Sequence, residues 1–209
     1  MKLITDKLSN GITNPQFTKH LKTPVLKSEF TQTEADEIRA TLEAALIEYP
    51  GLGLSATQLG IDKRACIINV DGESIFLLNP VIVERDKEGF LFYEGCLSIP
   101  KTLTNPIKTI RSCKVKVQTD NLGELIFEIN PDGDKDRVST ETLQTLVVQH
   151  EIDHLDGLTI RDRAYSTTIK NSTSFGRNEK IMMKSPDGEF VEVKHKKANS
   201  FFLKGYEIV

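Results

Sequence analysis

The six residues Gln149-His150-Glu151-Ile152-Asp153-His154 constrain this chain more than any other stretch. Four residues is just over one helical turn, so two histidines at that spacing project from one face of an α-helix. Their imidazoles can reach one metal ion, and Glu151 between them is placed to handle a proton beside it. The flanks supply the helix. Leu143, Val147, His150 and His154 recur at helical spacing, Ser139, Thr140 and Glu141 are start-type residues, and Gly157 is a stop. A lone histidine on an apolar helix face is usually a satisfied core residue. A pair four apart around a glutamate, in a chain with 4 histidines, points to a metal site instead.

Such a site needs a third protein ligand, with one position left open if it is catalytic. Continuing the pattern past Gly157 would take a histidine at position 160, which is Ile160. A glutamate on a later helix is the other metallopeptidase solution. The nearest one downstream, Glu179, sits among Gly and Asn with no helical periodicity. Upstream, Cys96 follows a glycine and the strand-like run Phe90-Leu91-Phe92-Tyr93, so its thiol can be presented at a strand end. A thiolate there would bind Zn or Fe(II). Spacing alone leaves Cys96 open between a ligand and a buried structural thiol.

The rest of the chain reads as α+β, with antiparallel strands ahead of the metal helix. Residues 1–30 read as an extended arm. Ala35, Ile38, Leu42, Ala45 and Leu46 mark a helix capped by Thr33 and ended by Pro50-Gly51. Strands are expected over 65–70, 75–78, 81–83 and 114–119, with Asn121-Leu122-Gly123 turning into another over 124–129. Cys66 and Cys113 fall in strand-like runs. The lysines and acids beyond residue 176 largely offset one another. Ser166 to Ser174 is rich in Ser, Thr and Asn, so the chain divides into a domain over 1–165, a linker over 166–175 and a small β-rich extension over 176–209. In the extension, 180–184 and 190–193 read as a hairpin around Ser185-Pro186-Asp187-Gly188, followed by a helix over 194–204 and a strand over 206–209.

A net charge of −3 gives no basic field for nucleic acid. Three cysteines fit a reducing cytoplasm better than a disulfide framework. No apolar run is long enough to span a membrane, and residues 1–10 lack both the apolar core of a secretion signal and the arginines of a transit peptide.

Glu94-Gly95-Cys96-Leu97-Ser98 together with Gln149-His150-Glu151-x-Asp153-His154 resembles the peptide deformylase family. Gly51-Leu52-Gly53-Leu54-Ser55-Ala56-Thr57-Gln58 resembles its third signature. The three stand in the family's order with similar separations, and the resemblance covers roughly residues 20–165. It implies antiparallel sheets packed around a central metal helix. It also implies a hydrolase that removes the formyl group from N-formylmethionyl nascent peptides and releases formate.

Cys96, His150 and His154 would then be the metal ligands, with Fe(II) the ion in the cell and Zn, Ni or Co in preparations. Glu151 would be general base and then general acid, and Gln58 and the Leu97 N–H would stabilise the oxyanion. Gly53 and Gly95 would offer backbone groups to an extended peptide. Leu143, Leu146 and Val147, with Leu52, Phe92 and Leu97 nearby, would receive the methionine. Glu94 would pair with Arg111, and Asp153 would serve behind the ligands or in a salt bridge. The partners implied are the formylated peptide and, transiently, the ribosome. Some positions depart from the family. Ser55 replaces a common alanine, Leu103 a common arginine, the stretch 101–108 looks longer than usual, and the ending lacks the long helix of familiar bacterial members.

Two other readings compete. A zincin-type metallopeptidase would need a third ligand after His154, which Ile160 does not supply. A metal-stabilised binding module would have no use for Glu151 or Gln58.

Overall fold

The computed structural model describes residues 2–87, 89–130, 138–165, 180–185, 188–194, 197–198, 201 and 206–208. The expected linker therefore lies outside the described residues, as does much of the expected helix over 194–204.

The expected metal helix, α4 (Thr140–Leu155), begins where Ser139 turns extended and its hydroxyl accepts the Thr142 N–H at 3.2 Å. Asp156 caps its far end and Gly157 follows at φ +72°. A Cβ at Gly157 would come within 2.9 Å of the Pro24 nitrogen, so both the left-handed turn and the close approach call for glycine there. Every residue from Thr145 to Leu155 is buried. The sequence displays one apolar stripe, but the helix is surrounded. Its polar face survives burial because it is bonded: Gln149 exchanges hydrogen bonds with both backbone groups of Ser112, at 3.0 Å each. Replacing Ser139 with alanine is expected to cost about 1 kcal/mol. For a domain of this size that lowers Tm by about 2–4 °C, which thermal unfolding can measure against Ser139→Asp as the retained cap.

The preceding elements in chain order are α1 (Pro15–Leu21), α2 (Gln32–Glu48), β1 (Gly53–Ser55), β2 (Ala65–Val70), β3 (Glu73–Leu78), β4 (Val81–Arg85), β5 (Gly89–Glu94), α3 (Lys101–Thr104), β6 (Ile107–Ser112), β7 (Lys114–Thr119) and β8 (Gly123–Glu128). They form three antiparallel sheets, β1-β2-β3, β4-β7-β8 and β5-β6. Strand β2 alternates between two cores. Ala65 and Ile67 pack with Leu42 and Leu46 of α2, whereas Cys66, Ile68 and Val70 pack with Val147, Val148 and Ile152 of α4. Val115, Val117 and Phe127 close the second core from the β4-β7-β8 sheet.

Several expectations need correcting. The cap of α2 is Thr31, not Thr33, because Glu34 reaches back to the Thr31 N–H and completes a capping box. The arm over 1–30 contains α1, started by Asn14, whose side chain accepts the Gln16 N–H, with Pro15 in the first turn. Within 101–108 the chain forms α3 and then enters β6, a strand the sequence reading did not anticipate. Cys66 is buried on β2, whereas Cys113 lies between β6 and β7 and not in a strand.

Towards the C-terminus, β9 (Lys180–Lys184) pairs with β10 (Phe190–Lys194) on one edge and β11 (Glu207–Ile208) on the other. Ile181, Met183, Val193 and Ala198 form its buried cluster. Among the described residues, no helix is long and apolar enough to cross a membrane.

Candidate active site

Two glycine-containing segments and one helix converge on the site. The end of strand β5 delivers Glu94 and the turn just after it Cys96, the segment around β1 delivers Gly53 and Gln58, and α4 delivers His150, Glu151 and His154.

One candidate ligand atom from each of Cys96, His150 and His154 lies within 4.8 Å of the others, and all three residues are buried. The imidazole rings stand edge to face, 4.8 Å between centroids, and Cys96 Sγ is 3.3 Å from His154 Nε2. His150 Nδ1 donates to Glu94 Oε2 at 2.8 Å, and His154 Nδ1 donates to the Leu158 carbonyl at 3.2 Å. Each histidine therefore has its outer nitrogen committed and its Nε2 directed inward, the arrangement that fixes a ligating tautomer. Burial alone would raise the Cys96 thiol. The two imidazoles outweigh it and draw the thiol down to about 5, so it is a thiolate near neutrality.

Behind Cys96, His150 and His154 runs a buried ionic chain. Glu94 accepts from Arg111 at 2.6 and 2.8 Å and from the Thr109 hydroxyl, and Arg111 reaches on to Asp153 Oδ2 at 2.6 Å. Asp153 is also held by Arg163 at 2.7 and 3.0 Å. Burial opposes the charge on Glu94, but Arg111 and His150 hold its carboxyl well below the usual range. The same competition, won by Arg163 and Arg111, lowers Asp153. The expected Glu94–Arg111 pair and the Asp153 salt bridge are thus both present. Sequence reading missed Thr109 and Arg163, which stand 15 and 10 residues from Glu94 and Asp153 with no helical or strand repeat to pair them.

Glu151 is buried, and its Oε2 has no hydrogen-bond partner among the described residues. Burial pushes its carboxyl up to about 7, against the pull of His150 and His154. Gln58 is held on both ends of its amide. Its Oε1 accepts from the Ser55 N–H at 2.9 Å and the Ser55 hydroxyl at 3.1 Å, and its Nε2 donates to Ser98 Oγ at 3.1 Å. The hydroxyl by which Ser55 departs from alanine is thus bonded to Gln58. Thr102, also unanticipated, accepts the Cys96 N–H at 2.9 Å.

A cavity of about 360 Å³ opens over these groups. Its lining includes Gln58, Cys96, Leu97, His150 and Glu151, together with Leu52, Gly53, Phe92, Gly95, Leu143, Leu146 and Val147. His154 lies deeper, fully buried behind Cys96. A Cβ at Gly53 would lie 2.6 Å from Val147 Cγ1 and 2.8 Å from Glu151 Oε1, so glycine lets β1 pack directly on the metal helix. The donor set suits a divalent ion: one depressed thiol, two oriented imidazoles and an unpartnered buried carboxylate oxygen beside them.

The family model for polypeptide deformylase matches residues 14–170. A peptide deformylase of Dictyoglomus thermophilum is 34% identical over 151 residues, covering 72% of this chain and 90% of that one. The fold is similar to a crystal structure of the class I type b peptide deformylase of Acinetobacter baumannii (26% identity, TM-score 0.56, 78% of this chain and 100% of that one). It is also similar to a probable peptide deformylase from Synechococcus phage S-SSM7 (26% identity, TM-score 0.58, 78% and 99%). With its three motifs gathered in one cavity and that match across most of its length, the chain belongs to the polypeptide deformylase family, metal-dependent hydrolases that remove the N-formyl group from nascent peptides.

Proposed function

We propose that Cys96, His150 and His154 hold one divalent ion and that Glu151 carries the proton as the formamide of an N-formylmethionyl peptide is hydrolysed. The observation that supports this most is the buried Glu151 carboxyl with its unpartnered Oε2, set against a Cys/His/His group. A purely structural site closes with four protein ligands and gains nothing from a buried carboxylate that is costly to keep. When bound, a divalent ion supplies Lewis acidity that makes water acidic near neutral pH.

The chain's own residues do the rest. Glu151 accepts a proton from the attacking water and delivers it to the departing amine nitrogen as the C–N bond breaks, releasing formate and a free amino terminus. A carboxyl raised to about 7 suits both halves of that task. Gln58, fixed by Ser55 and Ser98, turns its amide toward the developing oxyanion alongside the Leu97 N–H. One such donor contributes on the order of 3 kcal/mol. Glu94 and the Leu158 carbonyl keep each histidine in its ligating tautomer. Gly53 and Gly95 leave backbone groups open to an extended peptide, as in strand addition. The methionine side chain enters the apolar recess of Leu52, Phe92, Leu143, Leu146 and Val147.

The same reading assigns catalysis to residues 1–165, with 166–175 a linker and 176–209 an appendage. It places Fe(II) in the site in the cell, with Zn, Ni or Co able to replace it, since thiolate and imidazole suit each. It puts the enzyme in the cytoplasm, meeting its substrate transiently at the ribosome.

Gly53→Ala tests the packing. A new methyl must displace Val147 or Glu151, and about 1 Å of misplacement costs on the order of 100-fold in rate. The loss should appear in kcat with the metal content unchanged.

The direct test is formate release from formyl-Met-Ala-Ser by protein loaded anaerobically with Fe(II), or with Ni(II). Release at one ion per chain is the expected result. No release from fully loaded protein would overturn the assignment.

A further inference from the structure

Two turns that supply the cavity are bridged by a segment far from both in sequence. The Ile4 N–H donates to the Gln58 carbonyl and the Asp6 N–H to the Ser98 carbonyl, each at 2.8 Å. Gln58 and Ser98 are also joined by their side chains, at 3.1 Å. Two residues of chain reach at most about 7 Å, so these bonds limit how far apart the two turns can stand. The oxyanion donors assigned above, the Gln58 amide and the Leu97 N–H, ride on those same turns.

The segment is tied down along its length. Leu3 is buried in one cluster with Leu54, Ala56 and Leu59, and Ile4 packs against another that includes Cys96, Ile99 and Ile160. The buried Asp6 carboxylate accepts from Arg161 at 2.6 Å, three residues beyond the Leu158 carbonyl that holds His154. The Asp6 carbonyl accepts the Asn14 N–H at 3.0 Å and Lys7 pairs with Thr13, which closes the arm onto the start of α1. A terminus anchored in this way does not fray. None of residues 2–7 lines the cavity, and all of them precede residue 14, where the family match begins.

We infer that residues 3–6 are a positioning strap, in which the Ile4 and Asp6 N–H groups hold the Gln58 turn in register with the Cys96–Ser98 turn for the reaction. The inference rests on the deformylase reading, in which Gln58 stabilises the oxyanion. The metal group hangs on other bonds: His150 on Glu94, His154 on Leu158 and the Cys96 N–H on Thr102. A loosened strap therefore shows in rate rather than in metal content.

The test is Ile4→Pro, which deletes one of the two donors. In protein carrying one Fe(II) or Ni(II) per chain, kcat on formyl-Met-Ala-Ser should fall by about tenfold or more, since an ångström of misplacement costs on the order of 100-fold. KM should change little. In a Gln58→Ala background the same substitution should cost nothing further, because the group it positions is gone. Equal losses in the two backgrounds would overturn the strap, as would a kcat no different from the parent's. If Ile4→Pro does not fold, Asp6→Asn carries the same comparison with a smaller fall, since it keeps both N–H donors and loses the charge that Arg161 meets. A second readout needs no activity. In Zn-loaded protein the Gln58 side-chain N–H resonances, identified by their loss in Gln58→Ala, should exchange with water faster in the strap variant than in the parent. Unchanged exchange would overturn the strap. No formate from the parent would instead overturn the deformylase reading, and the exchange measurement would still decide the strap.

Discussion

Replacing Glu151 with glutamine is expected to lower kcat on formyl-Met-Ala-Ser by about 10²–10⁴-fold. The amide has the shape of the carboxylate but cannot accept a proton from water. His150 and His154 flank it on the same helix and keep their own outer partners, Glu94 and Leu158. One ion per chain should therefore remain, with KM little changed. Stability should move the other way. Glu151 is buried with one oxygen unpartnered, and a neutral amide costs less to bury than a charged group. The variant should melt no lower than the parent, the usual relation between a functional group and the fold that tolerates it. Metal analysis, steady-state kinetics and a melt on one preparation decide the matter. A variant that keeps its ion and works within tenfold of the parent would remove Glu151 from the mechanism.

The second large effect is expected from Arg111→Met. Arg111 is 2% exposed and bridges Glu94 and Asp153, which are equally buried. Methionine fills much of the space but strands two carboxylates without their common partner. Breaking a buried pair in this way costs roughly 3–5 kcal/mol, which for a domain of this size is a fall of about 10 °C or more in Tm. The damage should also reach the ligands. Freed from Arg111, Glu94 no longer holds His150 firmly, and lost support of this type weakens metal binding by about 10–100-fold. Chelator competition on folded protein at low temperature reads that shift separately from the melt. Arg163 provides the contrast. It holds the same Asp153 but is 38% exposed, so Arg163→Met should cost no more than about 1 kcal/mol. Equal losses from the two substitutions would show that burial of Arg111 is not the source of the effect.

The metal helix was legible because its signals are local. Ser139, the apolar stripe, the i and i+4 histidines and Gly157 all lie within one element. Strand β2 was legible for the same reason, as an unbroken apolar run. Strand β6 was not. Its inward residues include Thr109 and Arg111, buried through bonds to Glu94 rather than through apolarity. A hydrophobic pattern cannot reveal a strand whose core face is polar. Helix α1 had its signal in Asn14-Pro15, but it is short and its neighbourhood reads as loop. The Thr31 cap turned on Glu34, three residues on, rather than on the first apolar position.

At the site, the residues inside the three motifs were named from sequence, and their geometry follows from elements that each motif helps to build. The supporting groups Thr109 and Arg163 were not named. They stand 15 and 10 residues from their partners, Glu94 and Asp153, with no helical or strand repeat to link them.

The ionic chain from Glu94 through Arg111 and Asp153 to Arg163 has a consequence for the order in which the protein is made. Glu94, Cys96 and Arg111 leave the ribosome well before α4 exists. At about 5–20 residues per second, several seconds pass before Asp153 and Arg163 follow. Until then Cys96 has no histidine beside it, and Arg111 can satisfy only one of its two carboxylates. A product truncated anywhere short of residue 150 carries the cysteine without either imidazole, and one that stops before 163 lacks the outer clamp on Asp153. The Cys96, His150 and His154 group can therefore come together only once residue 154 is made, and the outer clamp on Asp153 follows with residue 163.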